Sequence, residues 1–239
     1  MNEDRKGLLD YNSKVGKFFD KIGPIFGIFL LALWLWAMFG VTSEKHQGEV
    51  YRIIYLHVPA AFTAFTTSFV LFINSIGALK YPKGSLQLFG RACAEVGLVF
   101  TLITLITGSI WGKPTWGTWW TWDARLTTTL LLGLLYAGYL LLWSSMSAGP
   151  DRSKACAILG ILIFIDVPII YKSVTWWRTL HQPPSILKEG GSTMDSEILN
   201  LLLISSLVSI FVSLWLCWGR YGNLKLKESL EQSSLEQVS

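Results

Sequence analysis

Charge is what this sequence has least of. Asp, Glu, Lys and Arg make up 15% of its 239 residues, against 51% hydrophobic, and the mean hydropathy is +0.44. A water-soluble domain carries about 25% charged residues. The deficit excludes a sizeable soluble domain and points to an integral membrane protein. Cysteine is also scarce. Cys93, Cys156 and Cys217 form no CxxC pair and no metal-ligand spacing, which argues against a zinc cluster or a dithiol redox centre. Each lies near the end of an apolar run and reads as a small packing residue. Histidine is limited to His46, His57 and His181. No nucleotide-binding motif occurs. No short apolar segment leads to a small-residue cleavage site, so no cleavable leader is expected. The net charge of +4 says little about partners, and no nucleic-acid partner is expected.

What is present is apolar sequence in six long runs, at about 24–41, 53–79, 92–111, 126–146, 155–171 and 197–218. Each is near the roughly 20 residues that a helix needs to cross a bilayer. The fold class expected is therefore an all-α integral membrane protein with six transmembrane helices. Residues 1–22 form an N-terminal segment, 23–218 the membrane domain and 219–239 a polar tail expected to be loosely ordered. Lys80-Tyr81-Pro82-Lys83-Gly84 and Ala148-Gly149-Pro150-Asp151 read as turns. Most of the 20 basic residues fall in the two tails and the loops 80–91 and 147–154. By the positive-inside rule that side is cytoplasmic, which puts both termini inside and the other three loops outside.

The chain's other excess is tryptophan, with 12 residues. Five lie in WGKPTWGTWWTWDAR, residues 111–125, where Gly112, Pro114 and Gly117 argue against one continuous helix. An aromatic belt at the membrane boundary explains one or two tryptophans at a helix end. It explains neither this density nor the glycines, so the preferred reading is a flat aromatic platform for a large planar ligand. Trp34, Trp36, Trp176 and Trp177 are assigned to the same outer side, which suggests one shared site there.

All three histidines also map to the outer side. His46 lies in a polar loop, where solvation accounts for it. His57 lies in RIIYLHVPAAF, in the first turns of the second span, with Ala60, Ala61 and Ala64 beyond it. Small residues let helices approach closely, and an ionisable group at membrane depth is a functional candidate. His181 lies in the outer loop 172–196, in VTWWRTLHQPPS. Imidazole is a common axial ligand of haem iron, so the two could clamp a porphyrin. Lys113, Arg125, Lys172 and Arg178 are candidates for its propionates, although each is individually well explained as a snorkelling boundary residue. Asp123 is expected to cap the fourth span. Asp166, two residues before Pro168, is read as a protonated or hydrogen-bonded packing group rather than a proton relay. Glu95 is expected to reach the membrane interface.

These segments resemble a known family. WGKPTWGTWWTWDARLT is similar to the tryptophan-rich WWD motif of haem-handling proteins in cytochrome c maturation, and most narrowly to the CcmC family. RIIYLHVPAA and VTWWRTLHQ resemble that family's two histidine-bearing segments, and the resemblance runs from the first span to the sixth. It implies a protein that holds haem b at the outer face of the bacterial inner membrane and delivers it to the haem chaperone CcmE, with no catalytic step of its own. It further implies His57 and His181 as axial ligands and Trp116, Trp119, Trp120, Trp122 and Asp123 as the core of the site. CcmD and the ATP-binding-cassette pair CcmA and CcmB are the partners it implies, beside the lipid bilayer. Two other functions remain open at this point. A permease subunit of an exporter should show a broken or polar helix near the midplane, for which Asp166-Val167-Pro168 is the candidate. An electron-carrying haem subunit is disfavoured, because both candidate ligands lie near one surface.

Overall fold

The structure is a computed structural model that describes residues 14–41, 44, 47–81, 84–182, 192 and 194–238. The N-terminal 13 residues, His46, Pro82 and most of the stretch after Gln182 lie outside the described residues. The described chain is helical: α1 Lys14–Phe39, a short 3-10 helix Glu49–Ile53, α2 Ile54–Lys80, α3 Gly84–Trp116, α4 Ala124–Ser145, α5 Pro150–Trp176 and α6 Ser196–Val238. Six of these helices are long and apolar enough to cross a membrane. The all-α, six-span expectation therefore stands, while several boundaries move.

The element that organises the bundle is α2. It packs against α3, α5 and α6, and α4 bridges α3 and α5 on the far side. The seams are made of small residues and internally satisfied hydroxyls. A Cβ at Gly97 would fall on the Tyr136 ring, so the glycine is what lets α4 approach α3. Tyr136 donates its hydroxyl to the Ala64 carbonyl at 3.2 Å, which draws α2 into the same contact. The hydroxyls of Thr67 and Thr101 donate to carbonyls one turn back, at 2.9 and 2.7 Å. Such back-bonding lets polar side chains sit in a core without an unmet donor. Helix α1 is peripheral and packs mainly on α6 through Leu30, Val208 and Val212.

Three boundaries correct the sequence reading. Helix α3 begins at Gly84 and continues through Gly112 and Pro114 to Trp116. Proline loses one intrahelical bond, but here it does so in the last turn, where little helix remains to be broken. Gly112 makes room for the indole of Trp116, whose Cε3 would lie 3.1 Å from a Cβ at that position. The break comes at Gly117, whose φ of 79° is the left-handed conformation that ends helices. Second, the tail expected to be loose continues α6 as one 43-residue helix. Residues 223–238 hold Leu, Lys, Glu and Gln in number and no proline. Their polarity removes a membrane span but not helix propensity. Third, Pro150 opens α5 at the first helical position rather than marking a turn alone.

Glu95, half-buried, and Asp166, buried, behave differently from one another. Glu95 joins α3 to α6: it accepts from Arg91 at 2.9 Å and pairs with Arg220. Asp166 is 4% exposed and neither carboxylate oxygen has a hydrogen-bond partner among the described residues. Of the protonated or hydrogen-bonded packing group expected, the burial is seen and a hydrogen bond is not, and α5 runs uninterrupted through Pro168.

Candidate functional site

A cavity of ≈ 240 Å³ lies at the end of the bundle where α1, α3 and α5 finish and α2, α4 and α6 begin. Its lining includes His57 and Ala61 of α2, Thr104, Gly108, Trp111 and Trp116 of α3, and Trp120. Arg125 of α4, Tyr171 of α5 and His181 complete it. The antiparallel course of the helices brings about this convergence: the first turns of α2 and α4, the last turns of α3 and the end of α5 all face it.

His57 is set into α3. Its Nδ1 lies 3.0 Å from Thr107 Oγ1. The Thr107 hydroxyl already donates to the Ile103 carbonyl at 2.6 Å, so its oxygen is the acceptor and His57 Nδ1–H the donor. That tautomer leaves the Nε2 lone pair free, which is how a ring nitrogen is prepared for a metal. Trp111 meets the ring edge-on, with centroids 5.8 Å apart. The indole N–H of Trp111 is in turn donated to the Gln47 side chain at 2.8 Å. Across the ring, a Cβ at Gly108 would stand 3.1 Å from His57 Cε1, so the ring fills the space that this glycine leaves.

His181 lies beyond the end of α5. Its Nδ1 is 3.0 Å from the Gln182 carbonyl, which can only accept, so Nδ1 carries the proton and Nε2 has no hydrogen-bond partner among the described residues. Arg125 Nη1 approaches the same Nδ1 at 3.4 Å. With a proton on Nδ1 that approach is a repulsive electrostatic contact rather than a second hydrogen bond. Trp116 lies beside the ring, centroids 6.1 Å apart. Burial, and then the neighbouring Arg125 charge, push the His181 pKa down to about 4. A solvated imidazole is half-protonated near pH 6.5. Between about 6.5 and 4 a solvated His181 binds the proton that the buried ring refuses, so the buried placement of the ring is at full strength above that window and weakens as pH falls through it. Ring ¹⁵N shifts should show His181 still neutral at pH 5.5. A midpoint near 6.5 would mean that the ring is solvated.

Asp123 caps α4 as expected, accepting from Leu126 N at 2.8 Å. Arg125 is, among the described residues, the one cation in the cavity lining. Its Nη2 donates to the Tyr171 carbonyl at 3.2 Å, and its Nε is buried with no partner. Lys113 lies outside the lining and donates to the Gly117 carbonyl at 3.0 Å. Arg178 and Lys172 are exposed and outside it as well.

The tryptophans divide. Trp111, Trp116 and Trp120 line the cavity. Trp119 and Trp122 are 57% and 76% exposed and do not. Trp176, Trp177 and Trp36 are exposed, and Trp34 packs against α6. Of the nine tryptophans expected at one shared site, the cavity brings three together, and the boundary preference of tryptophan accounts for the exposed indoles. Sequence reasoning left Thr107 and Gly108 out of the site and placed Trp111 in the platform without naming it in the core of the site. The available signal was helical spacing: positions 104, 107, 108 and 111 share one face of α3. The cavity suits a large planar anion with a ligatable metal, because it offers two free imidazole nitrogens, flat indoles and an unpartnered guanidinium nitrogen.

Comparison with known proteins gives a consistent result. The profile of the family Heme exporter protein C matches residues 11–236. Heme exporter protein C of Bradyrhizobium diazoefficiens is 38% identical over 212 residues, covering 89% of this chain and 81% of that protein. The Haemophilus influenzae protein of the same name is 37% identical over 216 residues, 89% of this chain and 88% of that one. A putative cytochrome c biosynthesis ccmC-like mitochondrial protein of Marchantia polymorpha is 43% identical over 174 residues, covering 73% and 72%.

Proposed function

This chain belongs to the Heme exporter protein C family, a multi-pass membrane family that handles haem in cytochrome c maturation, and from that premise we propose that it is a holding and hand-over station for haem b. In this reading haem is cargo. It is taken up at the periplasmic face of the bacterial inner membrane, held between His57 and His181, and passed to the chaperone CcmE. CcmD and the CcmA–CcmB pair are the proposed assembly partners.

The observation that carries the proposal is the matched pair of imidazoles on one cavity. Each has Nδ1 committed to an oxygen and Nε2 free. Neutral imidazole with its second nitrogen so engaged is the form that ligates iron. Trp116 and Trp120 provide flat apolar faces beside them, and the unpartnered Nε of Arg125 fits a propionate. The two ligands differ in mounting. His57 is built into α2 and fixed by α3, while His181 sits on the segment after α5. Ligands can then be exchanged one at a time, with the helix-mounted one leaving last. This allows firm holding and release in the same site.

The periplasmic placement rests on the basic-residue asymmetry. Reporter fusions at Thr118 should read periplasmic and at Gly149 cytoplasmic, and the reverse pattern would overturn the orientation. Delivery is tested by mixing purified, haem-loaded protein with haem-free CcmE and following haem absorbance on each after separation. Transfer without nucleotide or the ATPase pair supports hand-over. Haem that stays with this chain unless ATP and the pair are present supports a permease subunit instead.

A further inference from the structure

We infer that Asp123 serves the site as a positioning residue for His181 rather than as a contact to haem, acting through Thr179. The inference rests on the proposed ligand role of His181, and it concerns what holds that ligand in place.

The carboxylate of Asp123 is fully engaged away from the cavity, and Asp123 is not part of the lining. One oxygen accepts from Leu126 N at 2.8 Å and caps α4. The other accepts from the Thr179 hydroxyl at 2.7 Å and from Leu180 N at 3.2 Å. The Thr179 oxygen, having donated its proton to Asp123, accepts from His181 N at 3.0 Å. A continuous chain of hydrogen bonds therefore runs from the start of α4, through one carboxylate and one hydroxyl, to the backbone of His181. Its links to the carboxylate are charge-assisted, the stronger class.

Little else does this job. The last helical-type bond at the end of α5 is Trp177 N to the Ser173 carbonyl at 3.1 Å. Beyond it, among the described residues, the hydrogen-bond-length contacts that fasten 178–182 to other elements are those to Asp123 and the long Arg125–His181 approach. That approach is repulsive while Nδ1 is protonated, so it cannot hold the segment. Among the described residues, the favourable hydrogen bonds from this segment to other elements thus converge on a single carboxylate oxygen. Helix α4 carries Arg125 two residues after Asp123, so the same helix start registers the propionate candidate and the His181 segment against each other.

Asparagine separates the two tasks of Asp123. Asn caps helices as well as Asp does, so Asp123→Asn keeps the bond to Leu126. Its amide nitrogen then faces Leu180 N, donor against donor, and cannot accept from Thr179. Thr179→Val removes the hydroxyl at constant shape, and Thr179→Ser restores it.

The test uses the full-length protein in nanodiscs without haem. Each histidine's rate of carbethoxylation by diethyl pyrocarbonate is followed by mass spectrometry. Losing a hydrogen bond to a charged group shifts an equilibrium by roughly ten-fold. Asp123→Asn and Thr179→Val should therefore raise the His181 rate by about ten-fold and leave His57 unchanged, with Thr179→Ser close to wild type. A His181 rate unchanged in both Asp123→Asn and Thr179→Val overturns the inference. So does an equal rise at both histidines, which would mean general loosening. The haem-loaded spectrum separates this from the parent reading. If wild type shows no His181 ligation while the carbethoxylation pattern still appears, the brace stands and the ligand assignment fails.

Discussion

His57→Ala and His181→Ala should each reduce haem-loaded chaperone to background in cells that make normal amounts of this protein. Each removes one of the two free imidazole nitrogens on the cavity, and no third histidine lies within reach of it among the described residues. Loss of a mere outer-shell partner of a metal ligand costs roughly 10–100-fold in affinity, and loss of the ligand itself should exceed that. Imidazole in the medium should partly restore haem binding in both variants, because each leaves a vacancy shaped for a ring: Thr107 and Gly108 for His57, Trp116 for His181. The two should differ in degree. His57 is walled in by α3, so its vacancy is well formed and rescue should be the greater. His46→Ala is the control, since that residue reads as a solvated loop histidine. Normal delivery by both cavity variants would leave the indoles as the whole site.

The second large effect separates tryptophans that are neighbours in sequence. Trp116→Ala with Trp120→Ala should lower haem occupancy at least about ten-fold at equal protein level. A buried aromatic ring contributes 150–250 Å² of contact, and ring pairs add about 0.5–1.5 kcal/mol beyond that area. Trp119→Ala with Trp122→Ala should leave occupancy in the purified protein near wild type, because those rings face outward. Haem content by pyridine haemochrome, measured on both double variants, checks this. Equal losses would show that the cavity encloses more of the motif than its lining includes. An unchanged content in Trp116→Ala/Trp120→Ala would return the whole stretch to an aromatic belt.

That division marks where the sequence stopped being legible. Six spans could be read because hydropathy in a bilayer follows from backbone hydrogen bonding, which no tertiary contact overrides. His57 and His181 were legible because an ionisable ring at membrane depth and a histidine flanked by Trp and Pro are both conspicuous. The direction in which each indole faces was not legible, since it depends on α3 continuing past Pro114 to Trp116 and turning at Gly117. Read as a loop, Trp116, Trp119, Trp120 and Trp122 were equivalent. Folded, Trp116 belongs to a helix and lines the cavity, while Trp122 meets Trp120 edge-on and is otherwise exposed. Thr107 was invisible for a different reason: threonines at 101, 104 and 107 all bond their own helix, and nothing local distinguishes the one that also meets an imidazole. The second role of Asp123 was hidden in the same way, because Thr179 is 56 residues distant. The polar tail is helical rather than loosely ordered because low hydropathy removes a membrane span and not helix propensity, and residues 223–238 hold neither proline nor glycine.

Joint ligation of haem by His57 and His181 is tested most directly by electron paramagnetic resonance and visible absorption of the purified, haem-loaded protein. Bis-imidazole coordination predicts a six-coordinate low-spin ferric signal in wild type. It also predicts conversion to a high-spin, five-coordinate signal in His57→Ala and in His181→Ala, each reverting toward low spin on addition of imidazole. A wild-type spectrum that is high-spin from the start, or a low-spin one that survives both substitutions, would contradict it.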